Sequence, residues 1–69
     1  MTALEIYNAL RDRNPTISSV VVSDEYCYVA DKQTYSVLVF YKNLNGEQEN
    51  ISFREDSLIA AALTAQKYF

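Results

Sequence analysis

The first thirteen residues have the hydrophobic spacing of an amphipathic helix. Apolar side chains recur three and four positions apart, at Ala3, Ile6, Tyr7 and Leu10. This spacing gives a stripe about 100° wide along one side of a helix. Thr2 and Glu5 have the spacing of a capping box, in which each side chain accepts a hydrogen bond from the other residue's backbone amide. Because the residue before a proline disfavours the helical region, Asn14-Pro15 ends the helix.

From Thr16 to Phe53 the chain changes to alternating β-branched and aromatic residues, a pattern typical of strands. Asn45-Gly46 predicts a two-residue type I′ hairpin, because both residues readily adopt positive φ angles. Counting outward from this turn pairs Phe40 with Ile51 and Leu38 with Phe53. Alternation then predicts one core face, made of Leu38, Phe40, Ile51 and Phe53.

A second hairpin is predicted upstream, at Asp31-Lys32 or across Asp31 to Thr34. Either loop has an even length, so Cys27 and Val29 join the core, whereas a three-residue loop would reverse the two faces. Unbroken alternation from Val20 onward would bury Glu25. We therefore expect a bulge or a turn within residues 23–25.

The last segment predicts a second helix, capped by Asp56 or Ser57 and followed by an apolar stripe. The stripe consists of Leu58, Ala62, Ala65 and Phe69, widened by Ile59 and Leu63. The element order α-β-β-β-α predicts a two-layer sandwich of the α+β class, with a three- or four-stranded antiparallel sheet and both helices on one face. Residues 1–69 then form a single domain.

One strand of this predicted sheet, residues 35–41, is apolar on both of its faces. The face without helices is predicted to present Tyr26, Tyr28, Tyr35, Val37, Val39 and Tyr41. Tyrosine is enriched at protein interfaces, and apolar patches of this size are uncommon on monomers. The competing interpretation is that tyrosine simply favours strands and tolerates water through its hydroxyl group.

The chain has a net charge of −3 and a sequence pI of about 4.6, the wrong sign for binding held by phosphate contacts. Four acidic side chains could form an acidic patch that binds a basic partner: Asp24, Glu25, Glu47 and Glu49. They are either ordinary surface residues or one acidic face that imitates a nucleic-acid backbone. Nucleic-acid binding by stacking on the tyrosines is a further alternative, but such platforms normally include a cationic groove.

Histidine is absent and Cys27 is the only cysteine, so no Cys-His or Ser-His pair and no internal disulfide can form. We therefore expect no catalytic residues, no metal and no cofactor. The opening segment lacks the apolar region of a signal peptide, and no apolar run reaches the roughly 18 residues of a membrane span. A cytoplasmic protein without membrane contact is the expectation.

The element order, with the alanine-rich stretch Ala60–Ala62 in the second helix, resembles the double-stranded RNA-binding domain. In that family a lysine cluster at the start of the second helix grips phosphates. The corresponding stretch here is Arg54-Glu55-Asp56-Ser57, so the resemblance implies a scaffold and no RNA-binding residue. The sequence predicts a small non-enzymatic inhibitor or adaptor, of the kind carried by phages and mobile elements. It would bind another protein, or a second copy of itself as a homodimer.

Overall fold

Two helices flank three consecutive strands in the computed structural model, which describes residues 1–69. The elements are α1 (Ala3–Arg13), β1 (Ser19–Cys27), β2 (Lys32–Lys42), β3 (Gln48–Glu55) and α2 (Leu58–Tyr68). The sheet is antiparallel with the strand order β1-β2-β3. The predicted α-β-β-β-α sandwich of the α+β class is confirmed, with three strands.

Side-chain caps begin both helices where the sequence places them. The Glu5 amide donates to Thr2 Oγ1 at 3.2 Å, and the Thr2 amide donates to Glu5 Oε1 at 3.1 Å, which completes the capping box. Ser57 caps α2, since its Oγ accepts from the Ala60 amide at 3.1 Å. Each cap satisfies amides that have no partner within the helix, so the helix limits follow from local sequence.

The β2–β3 hairpin differs from the predicted two-residue turn by one residue in register. Val39 lies opposite Ile51 and Val37 opposite Phe53, whereas the prediction paired Phe40 with Ile51. The loop consists of three residues, 44–46, closed by a hydrogen bond from the Asn43 amide to the Glu47 carbonyl at 2.9 Å. The predicted register is therefore wrong.

Asn43 is the physical reason for the longer loop. Its Oδ1 accepts hydrogen bonds from the Asn45 amide at 2.9 Å and the Glu47 amide at 3.0 Å, and its carbonyl accepts from the Gly46 amide at 3.0 Å. Only Gly46 has a positive φ, of 78°, whereas a type I′ turn needs positive φ at both central residues. The result is a type I turn followed by a left-handed glycine, a common three-residue hairpin loop.

The β1–β2 hairpin turns earlier than predicted, through the four residues 28–31. Cys27 lies opposite Lys32, and Asp31 adopts a left-handed φ of 52°. The strand β1 pairs without interruption along its length, so the expected bulge at residues 23–25 is wrong. Val29 lies in the exposed loop and Cys27 is half-buried on the face away from the helices, so neither joins the core.

The core lies between the helices and one face of the sheet. It consists of Ile6, Leu10, Ile17, Val37, Val39, Phe53, Ala61, Ala62 and Ala65. Since a shift of one residue moves every side chain of a strand to the opposite face, the core contains Val37 and Val39 in place of the predicted Leu38 and Phe40. The alanines let α2 lie close to the sheet. Ile59 and Leu63 are exposed on its outer side.

The strands extend beyond the helices. Each helix has 11 residues and β2 also has 11, which corresponds to a helix of about 16 Å and a strand of about 36 Å. The molecule accordingly measures 39 × 22 × 17 Å, and its radius of gyration of 12.4 Å exceeds the roughly 11 Å of a compact chain of this length. With 11 residues each, the two helices fall short of a membrane-spanning segment.

Candidate functional site

The structure disperses the predicted tyrosine-rich surface over three different environments. Val37 and Val39 have an exposed fraction of 0% and pack beneath the helices. Tyr35 and Tyr41 project from the same face of β2 and are half-buried. These four residues therefore do not line a free sheet face, and this prediction is wrong for the same reason as the register.

Tyr41 belongs to an aromatic cluster at the hairpin end of the helix-covered face. Its ring lies 5.0 Å from that of Phe69 in an edge-to-face arrangement, and its hydroxyl donates to Glu49 Oε2 at 3.3 Å. The neighbouring Tyr68 hydroxyl, reinforced by partial burial and by the Glu49 carboxylate, raises the pKa of Tyr41 to about 12. Tyr41 serves the packing of the C-terminal helix end against the sheet.

Tyr26 and Tyr28 are the two members of the predicted surface that are exposed. Tyr26 lies near the end of β1 and Tyr28 in the β1–β2 loop, with ring centroids 5.0 Å apart, and the Tyr26 hydroxyl donates to Asp31 Oδ1. This hydrogen bond raises the pKa of Tyr26. Tyr28 is 86% exposed and Val29 is 100% exposed, so the loop tip is a small apolar projection separate from the sheet faces.

The four acidic residues do not form one patch. Asp24 lies opposite Tyr35, and Glu49 lies opposite Tyr41, which places the two pairs of acids about 20 Å apart along β2. Glu25 points to the other face from Asp24 and forms an ion pair with Arg54. The predicted acidic face is therefore wrong.

The sheet face opposite the helices is the candidate site, and we call it the helix-free face. Its apolar centre is Val21, Leu38 and Phe40. Val21 is 49% exposed and lies directly opposite Leu38, while both β2 residues are half-buried. No element of the chain packs over this centre, because both helices lie on the other side of the sheet.

Small polar residues surround the apolar centre. They are Ser19, Ser23, Ser36, Asn50 and Ser52. The hydroxyl groups of Ser23 and Ser36 lie 2.6 Å apart across the two strands and share a hydrogen bond. Serine hydroxyls and the Asn50 amide can both donate and accept hydrogen bonds, so the face offers an apolar centre inside a ring of hydrogen-bonding groups.

The charges on the helix-free face lie at its two ends and are mostly paired. Arg54 on β3 reaches Glu25 on β1 across β2, and the buried Thr34 hydroxyl donates to the Glu25 carbonyl at 3.0 Å. Lys32 Nζ lies 2.8 Å from Asp56 Oδ1, and this contact raises the pKa of Lys32. In each ion pair at least one side chain is more than half exposed to solvent, so each pair contributes little to the stability of the fold. The centre of the face carries no charge.

Sequence reasoning missed this site because it placed Leu38 and Phe40 in the core. The signal that would have located it is Asn43, a residue whose side chain favours turns by accepting backbone hydrogen bonds. With the Asn43 side chain accepting from the Asn45 and Glu47 amides, Leu44 joins Asn45 and Gly46 in a three-residue loop, and this exchanges the faces of β2.

The structure contains no group of three or more Cys, Asp or Glu side chains arranged to hold a metal ion, and no pocket. No protein family, curated protein or solved structure matches the chain. The resemblance to the double-stranded RNA-binding domain therefore stays at the level of element order. In the stretch before α2, Arg54 and Asp56 are each engaged in an ion pair.

Proposed function

We propose that this protein acts without catalysis, as an inhibitor or adaptor that binds a partner protein through the helix-free face. The observation that carries the proposal is the apolar centre of Leu38, Phe40 and Val21 on a sheet face that no helix covers. In a chain of 69 residues, where nearly every large apolar side chain is needed for the core, apolar side chains held on a solvated face point to an interaction.

The chemistry of the face favours a protein surface as the partner. Its centre is uncharged and apolar, and its rim of serine and asparagine side chains matches the polar rim and apolar core of protein interfaces. Nucleic-acid stacking is less well supported, because Phe40 is the only aromatic residue on this face and the chain carries a net charge of −3. Cys27 on the same face carries a half-buried free thiol, which is consistent with a protein that acts in a reducing compartment.

Affinity capture with matched variants tests the proposal. The face variant is Leu38→Ser with Phe40→Ser. The control is Tyr28→Ser with Val29→Ser, which also removes one aromatic and one aliphatic side chain, but from the more exposed loop tip. Circular dichroism first establishes that both variants are folded. A Ser52→Arg variant serves as a second face variant that adds bulk and charge to the rim without removing apolar packing.

We expect wild type and the loop-tip variant to retain the same partner proteins, and both face variants to lose them. A partner lost by the loop-tip variant but kept by the face variants would overturn the proposal. So would a partner that nuclease treatment releases, since that outcome assigns the binding to nucleic acid.

A further inference from the structure

The strand β1 forms one edge of the sheet, since the order β1-β2-β3 leaves one of its sides without a strand partner. The other edge, β3, carries Glu49, Arg54 and Glu55, and charged side chains discourage an edge from pairing with another chain. The first five residues of β1, Ser19–Ser23, carry no charge and are mostly valine. This segment is the unprotected edge of the sheet.

The sequence of Ser19–Ser23 is a palindrome, Ser-Val-Val-Val-Ser. If a second copy pairs antiparallel about a two-fold axis beside Val21, each Val21 faces the other. Val20 then faces Val22 of the second copy, and Ser19 faces Ser23 of the second copy. A two-fold axis requires only that each contact occurs twice, once in each direction. Here each contact also joins side chains of the same kind, valine with valine and serine with serine, which favours this register.

This pairing continues the apolar rows of the sheet on both faces. On the helix-covered face, Val20 lies beside Val39 and Val22 beside Val37, so the two cores would be joined through four valines in a row. On the helix-free face, Val21 lies beside Leu38, whereas the β3 residue beyond Leu38 is Ser52. The apolar centre is therefore off-centre in one copy, next to the β1 edge, and becomes central in the pair.

The acidic residues of β1 also fit this register. Asp24 would lie opposite Ser18 of the second copy, and Glu25 would lie beyond the point where that copy's β1 begins at Ser19, so no two like charges face each other. Centring the pair on Val22 instead would place Asp24 opposite Val20, which sets a carboxylate against an apolar side chain. Only the register centred on Val21 pairs valine with valine and serine with serine along Ser19–Ser23.

We propose that two copies of this chain join through their β1 edges, antiparallel and centred on Val21. The product is one continuous sheet made from the three strands of each copy, with all helices on one side and a shared helix-free face on the other. This dimer does not depend on any partner bound to the helix-free face, so the dimer and the proposed function can fail separately. A monomer that still captures protein through Leu38 and Phe40 would overturn only the dimer.

Charge exchange at Val21 tests the two-fold register by sedimentation equilibrium. In Val21→Lys the two lysines face each other, and in Val21→Glu the two glutamates do, so we expect each variant alone to have a dimer Kd raised roughly tenfold or more. An equimolar mixture restores dimerisation, because lysine then faces glutamate. Ser52→Lys, on the same face but at the β3 edge, leaves the Kd unchanged. Circular dichroism establishes that each variant is folded.

Cross-linking provides an independent measurement. Residues directly opposite in an antiparallel pair have Cα atoms about 4.5–5.5 Å apart, within the range of a disulfide. In a Cys27→Ser background, Val21→Cys forms a disulfide-linked dimer on mild oxidation, and Ser52→Cys does not. The proposal is overturned if wild type stays monomeric at millimolar concentration or if the single-charge variants dimerise normally. It is also overturned if their mixture stays monomeric, or if cross-linking occurs at residue 52 instead of residue 21.

Discussion

Replacing Val39 by threonine tests which face of β2 is buried. Threonine has nearly the shape of valine and is also β-branched, so the substitution keeps the strand preference and exchanges one methyl group for a hydroxyl. Val39 is completely buried between the sheet and the helices. Burying a hydroxyl group without a new partner costs about 1–3 kcal/mol in proteins.

A loss of about 2 kcal/mol is large for this chain, because a domain of 69 residues has a total stability of about 3–10 kcal/mol. It corresponds to a fall in Tm of about 8–16 °C for a domain of this size. The matched control is Val21→Thr, at a half-exposed position on the helix-free face. There we expect a change within about 0.5 kcal/mol.

Urea denaturation followed by far-UV circular dichroism measures both variants, and an unchanged m value shows that the effect is on stability alone. Equal losses for the two variants, or a larger loss at Val21, would refute the register. A larger loss at Val21 would mean that β2 turns its even-numbered residues to the helices, since Val21 lies opposite Leu38.

Three further outcomes follow from the contacts described above. Gly46→Ala should destabilise the chain by about 1 kcal/mol, because Gly46 has a φ of 78° and an added Cβ meets no neighbour, so the cost is that of the backbone alone; a neutral substitution in urea denaturation would contradict the loop geometry. Ser57→Ala should cost about 1 kcal/mol through loss of the α2 cap, whereas Ser52→Ala should be nearly neutral in the same assay. The pKa of Tyr41, about 12 in the folded chain, lies above the unfolded value of about 10, so its contribution is complete below pH 10 and is lost as the pH rises to 12. Tyr41→Phe should therefore lose less stability than wild type over that range, and parallel losses would contradict the assignment.

The helices could be predicted because their signals are local. The capping box of Thr2 and Glu5 and the cap at Ser57 need only a few neighbouring residues, so tertiary structure does not change them. The existence of three strands follows in the same way from alternating apolar residues and turn residues.

The face assignment could not be predicted because β2 is apolar on both sides. Val37 and Val39 alternate with Leu38 and Phe40, so hydrophobicity alone gives no preference for either pair, and the loop length decides between them. One side-chain acceptor, Asn43, adds a residue to the loop, and every conclusion counted from the turn changes with it. The predicted tyrosine surface depended on that count. The faces of β1 were assigned from those of β2, so Val21 was missed for the same reason.

Thiol labelling at two adjacent positions of β2 tests the central claim, that the Leu38 side of the sheet is free to bind a partner and the Val39 side is covered by helices. Leu38→Cys and Val39→Cys, each in a Cys27→Ser background, are treated with a thiol reagent under native conditions. We predict that Cys at position 38 reacts at least about a hundredfold faster, because position 39 becomes accessible only when the domain opens. Comparable rates, or faster labelling at position 39, would contradict the account.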